Sequence, residues 1–324
     1  MKLLICRVPI FFLTIVLNTT SCDQHTSPAA GASDASTLQS AAVFSGGGSS
    51  DAVRVQWMGT AGLFITDGES SFLIDPFVSR YRVLRVVSIL PVESEVEKVR
   101  EWIQRLHIPA LSPILLSHSH YDHALDMPNF ARELGSSVYG SSSAMQLGIG
   151  AGLPEEHLKE LTGGVFQIGK FRITTRLGCH GAQLGNIELW TGDINSPIVP
   201  PVPARRYKVG NTFAFHVQHP RGSFIHQASA CNVPNGLTGL SASTIFLGIA
   251  AREGTHELLN PILAQTGVTR VIPIHWDDFF ATDIDHPVAS SSAKMDEFIH
   301  TTQSDYPNVQ VKIPKVGEFV TIAQ

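Results

Sequence analysis

Three imidazoles and one carboxylate fall within six residues in the run Ser117-His118-Ser119-His120-Tyr121-Asp122-His123. Imidazole nitrogens and carboxylate oxygens form a borderline-soft donor set, which suits zinc. His118 and His120 are two residues apart, so in extended chain their rings leave the same side of the backbone. Asp122 and His123 sit where the chain would turn into a helix, which brings two further donors back toward that side. The chemistry such a set implies is metal-assisted hydrolysis: a bound ion lowers the pKa of a water to about 7 and polarises the bond under attack. Asp122 is the candidate catalytic carboxylate, able to orient the nucleophile.

Positioning these donors requires particular elements. The apolar triplet Ile114-Leu115-Leu116 reads as a short buried strand delivering the cluster. Upstream, residues 53–58 alternate like a strand, and residues 63–66 and 71–74 form two more around a turn at Asp67-Gly68. Residues 93–106 carry Val96, Val99, Trp102, Ile103 and Leu106 at helical spacing, and residues 122–134 read as one helix stopped by Gly135. Later strands are expected at 166–175 (two, around Gly169), 186–190, 212–218, 223–226, 244–249, 268–274, 309–313 and 317–322, with a helix at 257–265. The prolines at 197, 200, 201 and 203 make residues 196–206 a loop. Strands with interspersed helices in both halves predict a layered α/β domain: two sheets packed together and covered by helices.

The H-x-H-x-D-H run resembles the signature of the metallo-β-lactamase superfamily, and the similarity extends over most of residues 51–324. Gly59-Thr60-Ala61-Gly62 followed by Leu73-Ile74-Asp75-Pro76 resembles the opening strands of that family. The resemblance implies a four-layer αββα sandwich. It makes Asp75 an acceptor beneath the metal site for a ligand histidine, against the plainer reading of a turn residue before Pro76. It adds His180, in Leu177-Gly178-Cys179-His180-Gly181, and His275, closing Val271-Ile272-Pro273-Ile274-His275, as later ligands. His118, His120 and His180 would then hold one metal, and Asp122, His123 and His275 a second. The cofactor implied is zinc, two ions or one.

One element departs from that pattern. The family supplies a bridging Asp after the strand corresponding to residues 223–225, and here the chain reads His226-Gln227-Ala228-Ser229-Ala230-Cys231-Asn232, without a carboxylate. Asp193 is a substitute or a loop residue; Gln227, Ser229, Cys231 and His226 are others that could line the site. His226 and Asp277 are further candidates for substrate contact, second-sphere support or leaving-group protonation. The Gly59–Gly62 segment and His275-Trp276-Asp277-Asp278-Phe279 look more like the branch with ascorbate-6-phosphate lactonases and N-acyl-phosphatidylethanolamine phospholipase D, which implies ester, lactone, amide or phosphodiester substrates. A metal-binding envelope lipoprotein without catalysis is the alternative.

Composition sets the remaining bounds. With 43% hydrophobic and 16% charged residues, 324 residues can bury a sizeable core. The formal charge is −5 and no basic run exceeds Arg205-Arg206, which disfavours a nucleic-acid partner. The expected partner is a small-molecule or lipid-like substrate. Residues 1–22 read as a signal segment: Lys2 and Arg7 precede an apolar stretch at 8–17 that is too short to span a bilayer. Its end, Thr19-Thr20-Ser21-Cys22, resembles a bacterial lipoprotein cleavage site, with plain secretion as the other reading. The Ser-, Ala- and Gly-rich residues 23–50 read as a flexible tether, and 51–324 as the catalytic domain. The expected location is therefore the cell envelope or periplasm, with a lipid anchor at Cys22. Cys179 and Cys231 remain in the folded part, as a disulfide or as two buried thiols.

Overall fold

The computed structural model describes residues 52–183 and 187–323, all of them within the unit Gly48–Gln324. The signal segment and the tether expected at 1–50 lie outside the described residues. Two seven-stranded sheets carry the domain. The first runs, in spatial order, Phe319–Ile322, Val53–Gly59, Gly62–Thr66, Ser71–Ile74, Ile114–Leu115, Val138–Gly140 and Leu158–Glu160. The second runs Gln310–Val311, Arg270–Ile274, Thr244–Gly248, Gly222–Gln227, Phe213–His219, Phe171–Leu177 and Gly164–Ile168. In each sheet four neighbouring strands are parallel and the rest antiparallel. Each half of the chain thus builds one sheet, except that the last strand returns to the edge of the first.

Strand periodicity decides which residues face which layer. Phe72 and Ile74 enter the core between the sheets, while Leu73 points to the other face. Val55, Leu63, Ile65 and Leu115 join the first set; Phe64, Ile114 and Leu116 join the second. Both faces are buried, so a one-residue slip would exchange the two sets at once. The helices Val96–Arg105, Met127–Leu134 and Ser142–Gly150 supply Val99, Trp102, Phe130, Ala131, Ala144 and Leu147 to the outer layer of the first sheet. Thr255–Thr266 and Met295–Asp305 cover the second with Leu258, Leu259, Ile262 and Phe298. The result is the αββα sandwich, in which about 1.5–3 kcal/mol of transfer free energy per fully buried large apolar side chain holds the layers together.

Two sequence expectations fail locally. The single helix at 122–134 is two, Tyr121–Ala124 and Met127–Leu134. Between them the buried Asp126 accepts bonds from Val78 N (2.6 Å), Ser79 N (2.7 Å) and the Ser79 and Ser94 hydroxyls. Pro128 then sits in the first turn of the second helix, where its missing N–H costs no bond. The strand expected at 186–190 does not form among the described residues: Leu189 N is taken by Gln183 Oε1 (2.7 Å) and Trp190 is in the left-handed region at φ +52°. The helices Ser142–Gly150 and Met295–Asp305 were not anticipated, because neither carries a strong apolar stripe.

Candidate metal centre

Most of the chemical residues follow the carboxyl ends of parallel strands, where an open α/β layer leaves a crevice. Asp75 follows Ser71–Ile74, His118 lies just beyond Ile114–Leu115, Ala228 follows Gly222–Gln227, and His275 follows Arg270–Ile274. His180 comes instead from the loop after the antiparallel strand Phe171–Leu177. Folding brings six donors into two groups: His118, His120 and His180, and Asp122, His123 and His275, the ligand atoms within each lying no more than 4.8 Å apart. The groups adjoin, since the His118 and His123 rings are 3.9 Å apart centre to centre. His275 Nε2 is 3.2 Å and His123 Nε2 3.6 Å from Asp122 Oδ2.

The donors are held from behind. Asp75, fully buried, accepts from Ser117 N (2.7 Å), Ser117 Oγ (2.5 Å) and His123 Nδ1 (3.0 Å). Ser117 Oγ lies 3.0 Å from His118 Nδ1 and, having given its proton to Asp75, accepts there. Both rings are thereby fixed with Nδ1 protonated and Nε2 as the free lone pair. His180 Nδ1 donates to Gly181 O at 2.8 Å. The preceding residue, Cys179, is bonded to Cys231 across 52 residues, so the two cysteines form a disulfide and Cys231 offers no thiolate. His275 N donates to Thr60 O at 2.7 Å. Asp75, His275 and Thr60 all adopt positive φ, at +46°, +52° and +48°. Such backbone is costly outside glycine and persists where the surroundings over-determine it, often at functional sites.

The Nε2 atoms of His118, His120 and His123 are buried without a hydrogen-bond partner. Three orphaned imidazole nitrogens beside an ionised carboxylate are what a divalent cation would satisfy, and the residues present fit such an ion. Protonation states agree. Burial holds His118 well below the ordinary histidine value, His120 down at about 4 and His180 at about 3, so all three are neutral donors. Burial alone would raise Asp122, but His123 and His275 outweigh it and keep it ionised. Burial would likewise lower His123; the carboxylates of Asp122 and Asp75 reverse the sign.

Two sequence candidates turn out to do structural work. His226 is fully buried, with Nε2 on Ala61 O (3.0 Å), and does not line the cleft, so it is not a substrate contact. Asp277 is also fully buried: it pairs with Arg80 Nη2 at 2.5 Å and accepts Thr60 N at 3.0 and 3.1 Å, which leaves it no path to a leaving group. Its position supports the carbonyl that holds His275. Asp193 is exposed and belongs to neither donor group. Of the other substitutes, Gln227 turns its amide to Ser229 O and Cys231 O. Where the family's bridging carboxylate is expected, Ala228, Ser229 and Ala230 line the cleft. Sequence reading missed Arg80 and the cleft walls. Arg80 carries no separate signal, since Arg82 and Arg85 follow it within five residues, and Trp190 and Phe280 carry none either.

No family model matches the chain, and no curated protein does. Solved structures are similar in fold. The metallo-β-lactamase fold protein YhfI from Bacillus subtilis matches 84% of this chain and 99% of its own at 15% identity, with a TM-score of 0.51. An isothiocyanate hydrolase from Delia radicum gut bacteria matches 84% and 100% at 16% identity, TM-score 0.55. CmlA, a diiron β-hydroxylase from Streptomyces venezuelae, matches 84% of this chain and 54% of its own at 12% identity, TM-score 0.52. The fold of residues 52–323 is therefore the metallo-β-lactamase fold.

Proposed function

We propose that this chain is a metal-dependent hydrolase in which His118, His120 and His180 hold one divalent ion and Asp122, His123 and His275 a second. The observation that carries the reading is the convergence of six donors, three with orphaned Nε2 atoms, at one cleft. Zinc is the ion favoured by the donor chemistry, and iron is the competitor that the fold also accommodates in CmlA. Bound there, such ions supply Lewis acidity and a water of lowered pKa. The chain's own contribution is fixed geometry: neutral imidazoles locked by Ser117, Asp75 and Gly181, and an ionised Asp122 that orients the nucleophile. The reaction class is hydrolysis of an ester, lactone, amide or phosphodiester. We assign the chain to the branch with the lactonases and phospholipase D on its motifs, and to the cell envelope through Cys22 on its N-terminal sequence.

The missing carboxylate at Ala228–Ala230 favours one rival, a metal-binding envelope protein without turnover. Elemental mass spectrometry on the full chain, beside His118→Ala and His275→Ala, separates the cases when paired with an ester, lactone and phosphodiester panel. The proposal expects close to two metals per chain, a loss in each variant, and turnover abolished in His118→Ala. Metal without turnover across the panel supports the rival; no metal uptake on titration rejects both.

A further inference from the structure

The cleft above the donors has a volume of about 330 Å³, at the small end of ligand sites. Among the described residues its charged lining residue is Asp122, the remaining titratable ones are His120, His180, His275 and Tyr121, and no Lys or Arg lines it. Arginines near it in sequence are committed elsewhere. Arg80 is buried against Asp277, Arg252 binds Glu297 and the carbonyls of Ile249, Ala293 and Lys294, and Arg85 lies over the Tyr81 ring with Nε on Pro91 O. Arg82 is exposed and does not line the cleft.

The walls are mostly apolar from the donors outward: of the polar lining residues, Gln183 is held by Leu189 N and the His180 ring, Ser290 and Ser292 bond each other, and Ser229 is the fourth. Trp190 packs edge-on against His120 at 6.2 Å, and Phe279 against His275 at 5.3 Å, with Phe280 behind it at 4.5 Å. At the mouth, Val83 and Val87 are 44% and 64% exposed, and Leu84 beside them 79%. An apolar rim continuous with an apolar cleft is unfavourable in water unless a ligand covers it. A remote carboxylate or phosphate placed here would be desolvated with no cationic side chain among the described lining residues, which costs heavily.

We infer that the part of the substrate beyond the scissile group is neutral and apolar, an acyl or alkyl chain rather than an anionic headgroup, nucleotide or carboxylate-bearing ring. This rests on the hydrolase reading for the site, and it adds which molecules enter. Each methylene buried is worth about 0.8 kcal/mol, or about fourfold in affinity.

The test is calorimetric binding of N-methyl alkanamides of four, six and eight carbons to the metal-loaded full chain. Eight-carbon amides ending in a carboxylate are compared, and turnover of matching p-nitrophenyl esters is measured in parallel. Affinity should climb about fifteenfold with each two carbons buried, fall at least tenfold with the terminal carboxylate, and lose its length dependence in Phe279→Asp and Val87→Asp at unchanged metal content. Binding independent of length, tighter binding of the carboxylates, or no saturable amide binding overturns the inference. Phosphodiester or short-ester turnover alongside any of those results keeps the hydrolase reading and discards only the apolar substrate. Length-dependent binding with no turnover of any compound does the reverse.

Discussion

Replacing Arg80 by methionine should destabilise the fold and loosen one side of the metal centre. Arg80 and Asp277 are both 0% exposed, with Nη2 and Oδ2 2.5 Å apart. Without the guanidinium, Asp277 keeps a single backbone donor, Thr60 N. Stranding one member of a buried pair costs about 3–5 kcal/mol, because a desolvated charge is left uncompensated. For a domain of this size, that lowers the melting temperature by roughly 10 °C. The damage is directional. Thr60 O is the acceptor for His275 N, so a displaced Thr60 releases the backbone that holds His275 at positive φ. Urea and thermal unfolding of the metal-free full chain read the first effect; metal content after dialysis reads the second, with the ion at Asp122, His123 and His275 lost first. The double variant Arg80→Met with Asp277→Asn should recover at least about 2 kcal/mol, since it removes the orphaned charge. A loss under about 1 kcal/mol in the single variant, or a double variant as unstable as the sum of both singles, would falsify this account of the pair.

Three further outcomes are expected. Asp75→Asn should weaken the ion held by His123 about 10- to 100-fold in chelator competition, because the carboxylate fixes the ring through Nδ1; unchanged affinity removes Asp75 from that role. Cys179→Ser with Cys231→Ser should loosen the ion at His180 about tenfold while sparing the ion at His275, and equal losses at both would mean general unfolding instead. In the metal-free protein, stability should fall as the pH drops from about 6.5, because the unfolded chain binds protons that buried His120 (about 4) and His180 (about 3) refuse. His120 alone accounts for on the order of 3 kcal/mol by pH 4, partly opposed by His123, whose raised value favours the folded state in acid. A melting temperature constant from pH 7 to 4.5, or equally steep in His120→Ala, contradicts this reading.

What the sequence determined is what local spacing determines. Apolar alternation at 53–74 assigned the first strands, and the two-residue step from His118 to His120 after an apolar triplet put both rings on one side. The layered α/β architecture followed from the order of elements. What the tertiary structure decided were pairings between distant positions. Arg80 and Asp277 are separated by 197 residues, and no pattern in the chain joins them. The Cys179–Cys231 bond, open from sequence, closes because the strands Phe171–Leu177, Phe213–His219 and Gly222–Gln227 are neighbours in one sheet, which brings both loop ends to the cleft. His226 and Asp277 have the chemistry of site residues, yet the packing of the two sheets turns them into the interior and gives their polar atoms to Ala61, Thr60 and Arg80. Residue type and spacing state which atoms are able to do chemistry. Burial and partners, which depend on contacts between segments far apart in the chain, state which of them are free to do it.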